Sequence, residues 1–198
     1  MKHQALPEQA LDQLFRQARS HNGWQDREVT DAQLQQIYDL MKMGPTALNS
    51  CPARLVFIKS QAAKQRLKGC LNEGNITKSM TAPVVALIGM DLEFYTKLIK
   101  LWPHNADAAS WYVGKTDKIQ ENAFRNSALQ GAYLIMAVRS LGLDAGPMSG
   151  FNFGKMDETF FPDGKIKSNF ICAIGYGDES KLYPRGPRLD FAEACTVI

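Results

Sequence analysis

The segment LDAGPMSGF, residues 143–151, decides how the rest of the sequence is interpreted. It follows the longest predicted helix, residues 117–141, which is apolar on more than one side. Such a helix is usually central in its domain, because a surface helix has a single apolar stripe. The segment itself consists of small, turn-forming residues, and Ser149 is its one potential nucleophile. The pattern therefore predicts a central helix that ends in a glycine–proline loop.

Shorter helices and apolar strands are predicted around this centre. Thr30 and Gln33 have the spacing of a capping box, and Gly44 with Pro45 ends the helix that follows. The further predicted elements are helices at 8–20 and 60–70, strands at 54–59, 81–91 and 167–178, and an aromatic-rich mixture of helix and loop at 91–115. Because this order is not a regular βαβ array and no linker interrupts it, we predict one α+β domain over residues 1–198.

Composition and charge exclude several classes of protein. Apolar residues make up 45% of the chain and charged residues 22%, as in an ordinary soluble globular protein. The net charge is only +3, and no run of five like charges supports nucleic-acid binding. The longest apolar stretch, residues 83–90, is too short to span a membrane, and the first residues lack the apolar core of a signal peptide. We therefore expect a cytoplasmic protein that binds neither nucleic acid nor membrane.

The familiar motifs for side-chain catalysis are incomplete in this sequence. GYGDES, residues 175–180, lacks the third glycine and the following helix of a dinucleotide fingerprint. The three histidines are far apart and the four cysteines form no CxxC pair, so neither a zinc site nor a compact disulfide framework is indicated. Ser149 lacks the GxSxG context of a hydrolase. The chain is thus either a binding protein or an enzyme whose difficult chemistry belongs to a cofactor.

Four segments in sequence order resemble the FMN-dependent nitroreductase family. They are ARSHNGW (18–24), MGPTALNSCPARLVFI (43–58), SLGLDAGPMSGF (140–151) and IGYGDESKLYPRGPRL (174–189). Within that family, HNGW (21–24), FRNSALQGAYLI (124–135), LGLDAGPMSGF (141–151) and YGDESKLYPRGPRLDFAEA (176–194) resemble the malonic semialdehyde reductase branch of uracil degradation.

The resemblance implies a fold, a cofactor and a reaction. The fold is an α+β layered structure with a central mixed or antiparallel sheet flanked by helices. It works as an intertwined homodimer with two FMN molecules in the interface. NADH or NADPH reduces the FMN, and a small organic acceptor then reoxidises it in a ping-pong cycle.

The resemblance also implies a phosphate site built from two segments. Arg19 and Ser20 match the N-terminal signature, and Asn22 stands where the family has a second arginine. Asn22 keeps hydrogen bonding but loses the charge, for which His21 would compensate weakly. Two further basic residues, Arg185 and Arg188, resemble the C-terminal phosphate clamp, and an arginine fork bonds two phosphate oxygens at once.

The remaining implied contacts surround the flavin ring. Pro147 would set the loop, while Ser149 and Gly150 would offer backbone N–H groups to O4 and N5, which glycine allows because no side chain intervenes. Asn75 and Lys78 would lie beside the ribityl chain and the N1–O2 edge. The other residues assigned to the cofactor are Met148 of the same loop and, from the partner subunit, Pro45, Thr46, Ala47 and Asn49.

The substrate side is predicted less specifically. An aromatic roof over the flavin could come from Trp102, Trp111, Tyr112 and Phe124, and Arg125 or Arg139 could hold a substrate carboxylate. The acceptor could be malonic semialdehyde, or a nitroaromatic or a quinone. Two other classes stay open: a flavin-binding protein without steady turnover, and an interaction domain without flavin.

Overall fold

A four-stranded antiparallel sheet organises the computed structural model, which describes residues 4–198. The spatial order of the strands is β1-β2-β4-β3, so β1 and β3 form the two edges of the sheet. The strands are β1 Ala53–Ile58, β2 Val84–Asp91, β3 Asp144–Met148 and β4 Ile166–Gly175. The helices are α1 Glu8–Leu11, α2 Asp31–Met41, α3 Gln61–Lys68, α4 Glu73–Thr81, α5 Leu98–Leu101, α6 Thr116–Ser140, α7 Phe153–Phe160 and α8 Phe191–Ala194.

The strongest local signals in the sequence are confirmed. Thr30 and Gln33 form a capping box at the start of α2, with the Gln33 N–H donating to Thr30 Oγ1 at 3.2 Å and the Thr30 N–H donating to Gln33 Oε1 at 3.0 Å. Ser60 accepts from the Ala63 N–H at 3.2 Å and caps α3. These elements were predictable because their capping residues act within one turn of the helix.

The prediction that residues 143–151 form only a loop is wrong. Residues 144–148 form β3, which pairs with β4 in the register Asp144↔Gly175 to Met148↔Ile171. Glycine and proline are rare inside strands, but proline is tolerated at a sheet edge, and β3 is an edge strand with Pro147 exposed. The loop proper is therefore short and begins at Ser149.

Other elements also differ from the prediction. The first helix ends at Arg16 rather than at residue 20, and its second half, Asp12–Arg16, is a π-helix. The last strand ends at Gly175 rather than at residue 178. Helices α4, α7 and α8 were not predicted, because with nine, eight and four residues they are too short for an apolar period to be distinguished in the sequence.

The core lies on both faces of the sheet. Alternate β2 residues enter the two layers, since successive side chains of a strand point to opposite faces. Val84, Ala86 and Ile88 pack with α2 and α6, whereas Val85 and Leu87 pack with residues of α3 and α7. Helix α6 contacts all four strands, as expected for the central helix. Along residues 4–198, no helix is both long enough and apolar enough to cross a bilayer.

Candidate functional site

One cleft gathers the residues predicted to bind phosphate. It has a volume of about 270 Å³ and is called here the arginine cleft. Its lining includes Arg19, Ser20, Asn22, Arg185 and Arg188. A fourth arginine, Arg139, lines the same cleft from the C-terminal end of α6. The described residues that line it include no acidic side chain.

Backbone carbonyls, rather than carboxylates, hold these arginines in place. Arg185 Nη2 donates to the Ala18 carbonyl at 3.1 Å, and Arg19 Nη2 donates to the Tyr183 carbonyl. The C-terminal segment and residues 18–22 therefore fix each other. The cleft presents concentrated positive charge that, over residues 4–198, no ion pair neutralises. Such a site suits an anion with several oxygen acceptors.

Edge strand β3 positions one wall of the arginine cleft. Ser20 forms a parallel bridge with Ala145, and the His21 N–H donates to the Ala145 carbonyl at 3.1 Å. The imidazole of His21 is only 6% exposed, and its Nε2 lies 3.3 Å from Asp144 Oδ1. His21 does not line the cleft. The expectation that it compensates for the charge missing at Asn22 is therefore wrong.

A second group of predicted residues meets at the other end of β3. Asn75 Nδ2, on α4, donates to the Gly150 carbonyl at 2.8 Å, and the Asn72 N–H donates to the same oxygen at 3.1 Å. A Cβ atom at Gly150 would lie 2.5 Å from Asn75 Nδ2, so only glycine fits this contact without a shift. Met148 is 9% exposed, and its sulfur lies 3.8 Å from Ser79 Oγ, so its side chain belongs to the core.

The loop after β3 retains hydrogen-bonding capacity. Among the hydrogen bonds formed within residues 4–198, none uses the backbone N–H of Ser149 or Gly150 as donor. Two consecutive free donors on a loop fixed by Asn75 could bind a polar edge of a planar ligand. Lys78 lies one turn further along α4, on the same side as Asn75, because residues three apart are neighbours on a helix.

The arginine cleft and this loop lie along a common line. Ser20 pairs with Ala145, and Ser149 follows four residues later, about 14 Å along a strand that rises about 3.4 Å per residue. The Trp24 indole N–H donates to the Lys78 carbonyl at 2.9 Å and connects the two regions. The arrangement therefore suits an elongated ligand with an anionic group at one end and a planar, polar-edged group at the other.

The segment containing Pro45, Thr46, Ala47 and Asn49 lies at the opposite edge of the sheet, just before β1. Three strand spacings, about 14 Å, separate β1 from β3. The structure therefore does not bring this segment to the loop at Ser149 within one chain. Its local contacts are the Cys51 N–H to Thr46 Oγ1 at 3.1 Å and Asn49 Nδ2 to the Leu101 carbonyl at 3.0 Å.

Backbone strain is concentrated in this same segment. Three of its residues have positive φ without being glycine: Leu48 at 55°, Asn49 at 49° and Cys51 at 42°. Each such residue costs on the order of 1–3 kcal/mol and persists only where neighbours hold it. Two buried side chains of α6 keep this segment in its strained conformation. Asn126 Oδ1 accepts a hydrogen bond from the Ala47 N–H, and Gln130 Oε1 accepts one from the Ala53 N–H, both at 2.8 Å.

Asn126 and Gln130 had no role predicted from the sequence. A usable signal was present, since two amides four residues apart fall on one face of an otherwise apolar helix. Both side chains are almost fully buried, at 1% and 3% exposure. A buried polar group needs a partner, so their spacing indicates that a backbone segment passes over that face.

Of the aromatic residues predicted to cover the flavin, one is buried in the core and two are exposed. Tyr112 is 3% exposed in a separate core cluster with Phe94, and its hydroxyl accepts from Asn122 Nδ2 at 3.0 Å. Burial raises the pKa of Tyr112, so its hydroxyl stays protonated. Trp111 and Phe124 are exposed.

Comparison with known proteins identifies the family. Residues 15–177 match the sequence profile of the nitroreductase family. A protein of Polynucleobacter asymbioticus, provisionally named an NADH dehydrogenase/NAD(P)H nitroreductase, is 58% identical over 193 residues, covering 98% of each chain. The similarly named HadB of Ralstonia pickettii is 53% identical over 190 residues, covering 95% of this chain and 97% of HadB. This chain belongs to the nitroreductase family.

Solved structures agree with this fold. A nitroreductase-type protein of Bacillus subtilis, YdfN, has a TM-score of 0.87 at 20% identity and covers 97% of this chain and 100% of its own. A protein of Exiguobacterium sibiricum, crystallised in complex with FMN, has a TM-score of 0.84 at 16% identity and full coverage of both chains. The predicted α+β nitroreductase-like fold, with helices flanking an antiparallel sheet, is confirmed.

Proposed function

We propose that this chain is an FMN-dependent NAD(P)H oxidoreductase formed by a single domain and acting in the cytoplasm. The observation that carries the proposal is the arginine cleft at one end of β3 and the free backbone donors of Ser149 and Gly150 at the other. The names of the relatives, which include NAD(P)H nitroreductase, and the FMN complex of the Exiguobacterium protein support it.

The residues present fit FMN on chemical grounds. Arg19, Ser20, Arg185 and Arg188 would hold the phosphate, since guanidinium groups pair with phosphate oxygens in a bidentate manner. Asn22 would add a neutral donor. The absence of a side chain at Gly150 and its contact with Asn75 leave room for a ring to approach the backbone.

FMN, when bound, supplies the atom N5 that takes a hydride from the nicotinamide and passes it to the acceptor. The protein's part is to orient the ring and to tune its charge. The N–H groups of Ser149 and Gly150 would hold the O4–N5 edge, and the Pro147 ring would restrict the backbone that leads into them. The ammonium group of Lys78 would stabilise negative charge at the N1–O2 edge. No side-chain nucleophile takes part.

We propose that the working unit is a homodimer. The segment containing Pro45, Thr46, Ala47 and Asn49 cannot reach the loop of its own chain and would cover the flavin of the partner subunit. Helix α6 also exposes Leu129 at 45% and Tyr133 at 42%, which lie four residues apart on one face, and Phe124 at 56% on another face. Light scattering should give twice the mass of one chain, and a monomer that still holds FMN would contradict the proposal.

The acceptor we propose is malonic semialdehyde, reduced to 3-hydroxypropionate, on the strength of the sequence resemblance of residues 124–135 and 176–194. The alternative is a nitroaromatic or quinone acceptor, favoured by the names of the relatives. Both acceptors use the same cofactor site, so only their turnover separates them.

The deciding experiment is a visible spectrum of the protein purified with FMN, recorded before and after anaerobic addition of NADH and then NADPH. A flavin band that bleaches supports the reductase and identifies the donor. A bound flavin that neither donor bleaches would instead indicate a flavin-binding protein without turnover. A colourless protein would overturn the proposal. Turnover of malonic semialdehyde and of a nitroaromatic should then be compared, and an absence of aldehyde reduction would refute the specific acceptor.

A further inference from the structure

Arg139 lies in the arginine cleft although no phosphate signature includes its position. It is the twenty-fourth residue of α6 and reaches the cleft from the helical layer, whereas Arg19 and Arg185 reach it from the chain's two terminal segments. The same cleft contains Asn22, which lacks the charge expected at its position. The structure thus provides a cation in the cleft from a different element.

The guanidinium group of Arg139 is held firmly. Its Nη1 donates to the Leu14 carbonyl at 3.1 Å, and the backbone carbonyl of Arg139 accepts from Gln13 Nε2 at 2.7 Å. Both partners belong to the π-helical turn Asp12–Arg16. One nitrogen of the fork is therefore used to fix its position, and the remaining N–H groups are available to a ligand in the cleft.

The electrostatic surroundings of Arg139 favour an anion. Arg16, Arg54 and Arg125 each form an ion pair with a carboxylate, but none of the four arginines of the cleft does so within residues 4–198. Burial lowers the pKa of Arg139, Cys172 and Asp144 oppose that shift, and the positive charge of Arg185, the smallest of these effects, lowers the pKa slightly further. A half-buried cation without an ion-pair partner is unfavourable until a counter-ion binds.

We propose that Arg139 binds a phosphate oxygen of FMN in place of the charge absent from Asn22, and that it contributes, with the other arginines of the cleft, to the selection of FMN over riboflavin. This inference rests on the proposed flavin function. It also replaces the expectation that Arg139 holds a substrate carboxylate, because Arg139 lies with the phosphate-site arginines and not beside Ser149.

Riboflavin is the discriminating probe, because it has the same ring and ribityl chain as FMN without the phosphate. Dissociation constants of FMN and riboflavin should be measured by flavin fluorescence for the full-length protein and for Arg139→Gln. The variant should bind FMN about tenfold or more weakly, since a charge-assisted hydrogen bond is lost. Its affinity for riboflavin should stay within about twofold of the parent, which corresponds to about 0.4 kcal/mol.

Two further variants separate charge from structure. Arg16→Gln also removes one positive charge near Leu14, but Arg16 is paired with Glu8 and Asp12 outside the cleft, so FMN affinity should not change. Asn22→Arg, introduced into the Arg139→Gln protein, returns a cation to the cleft and should recover most of the lost FMN affinity. Recovery would not occur if Arg139→Gln had merely loosened the Leu14 contact.

Several outcomes would overturn the inference. Equal weakening of FMN and riboflavin would give Arg139 a purely structural role. Unchanged FMN affinity together with a raised KM for the aldehyde would return it to the substrate. A parent protein that binds riboflavin as tightly as FMN would remove the phosphate role of the cleft and leave the flavin function standing. A parent protein that binds neither would refute the proposed function itself.

Discussion

The contact between α4 and the loop after β3 can be tested by adding one methyl group. In Gly150→Ala, the new Cβ would lie 2.5 Å from Asn75 Nδ2, whereas the next contact, Asn72 Nδ2, is at 3.5 Å and is tolerable. Gly150 does not have positive φ, so the backbone itself accepts alanine. The whole penalty should therefore come from the collision with Asn75.

The expected loss of stability depends on how the Asn75 side chain responds to the new methyl group. If its amide turns away, the 2.8 Å hydrogen bond to the Gly150 carbonyl is lost, at a cost of about 1 kcal/mol. If it stays, overpacking costs about 1–3 kcal/mol. Alanine also lowers the conformational entropy of the unfolded chain relative to glycine, which offsets about 0.4–1 kcal/mol of the cost. The net loss is then about 0–0.6 kcal/mol if the amide turns away and at most about 2.6 kcal/mol if it stays, the latter corresponding to about 5–10 °C in Tm for a chain of this size.

A double-mutant cycle read by urea unfolding isolates the contact. Gly150→Ala should destabilise the parent protein by the amount above, yet cost less than about 0.5 kcal/mol in an Asn75→Ala background, where the colliding amide is gone. Gly74→Ala is the matched control, because its Cβ meets nothing within 4 Å, and it should raise stability by up to about 1 kcal/mol. Equal costs of Gly150→Ala in both backgrounds would refute the reasoning.

Three further perturbations have defined outcomes. Asn126→Ala leaves the Ala47 N–H without its 2.8 Å acceptor and should lower the free energy of unfolding by about 1–3 kcal/mol, so an unchanged urea midpoint would contradict the role given to Asn126. Burial raises the pKa of Cys172 to about 12, so at about pH 8 iodoacetamide should label exposed Cys195 and spare Cys172 until urea is added. Equal labelling of both thiols in the native protein, seen by peptide mass spectrometry, would be inconsistent with the structure. Lys78→Met should lower the two-electron midpoint potential of bound FMN by about 30–65 mV, measured by spectroelectrochemical titration, and an unchanged potential would remove Lys78 from the flavin edge.

The sequence sufficed for elements that are specified locally. The capping box at Thr30, the cap at Ser60 and the long apolar helix α6 all depend on residues within a few turns. Strand β3 escaped prediction because its pairing partner lies more than twenty residues away in β4, and because Gly146 and Pro147 have low strand propensity. Packing in three dimensions, rather than propensity, decides such a strand.

The sequence predicted which residues form most of the candidate site, but not how those residues are arranged in space. Motif resemblance assigned five residues to one phosphate site, and the structure places them in one cleft: Arg19, Ser20, Asn22, Arg185 and Arg188. Arg139 was one of two arginines, with Arg125, that could hold a substrate carboxylate, because its position late in a helix does not reveal which layer its guanidinium enters. Asn126 and Gln130 were missed since their partners are backbone groups that no motif identifies.

The position of Pro147 on an edge strand has a consequence for solubility. The Ala145 carbonyl accepts from the His21 N–H, so the outward-facing groups of β3 belong to Ala145 and, by alternation, to Pro147. The Ala145 carbonyl is already bonded to the His21 N–H, and Pro147 has no N–H to donate. A strand from another molecule therefore cannot form a continuous row of backbone hydrogen bonds with β3. This edge is protected against the sheet-to-sheet addition that starts aggregation. Pro147 thus both precedes the loop at Ser149 and protects this edge of the sheet.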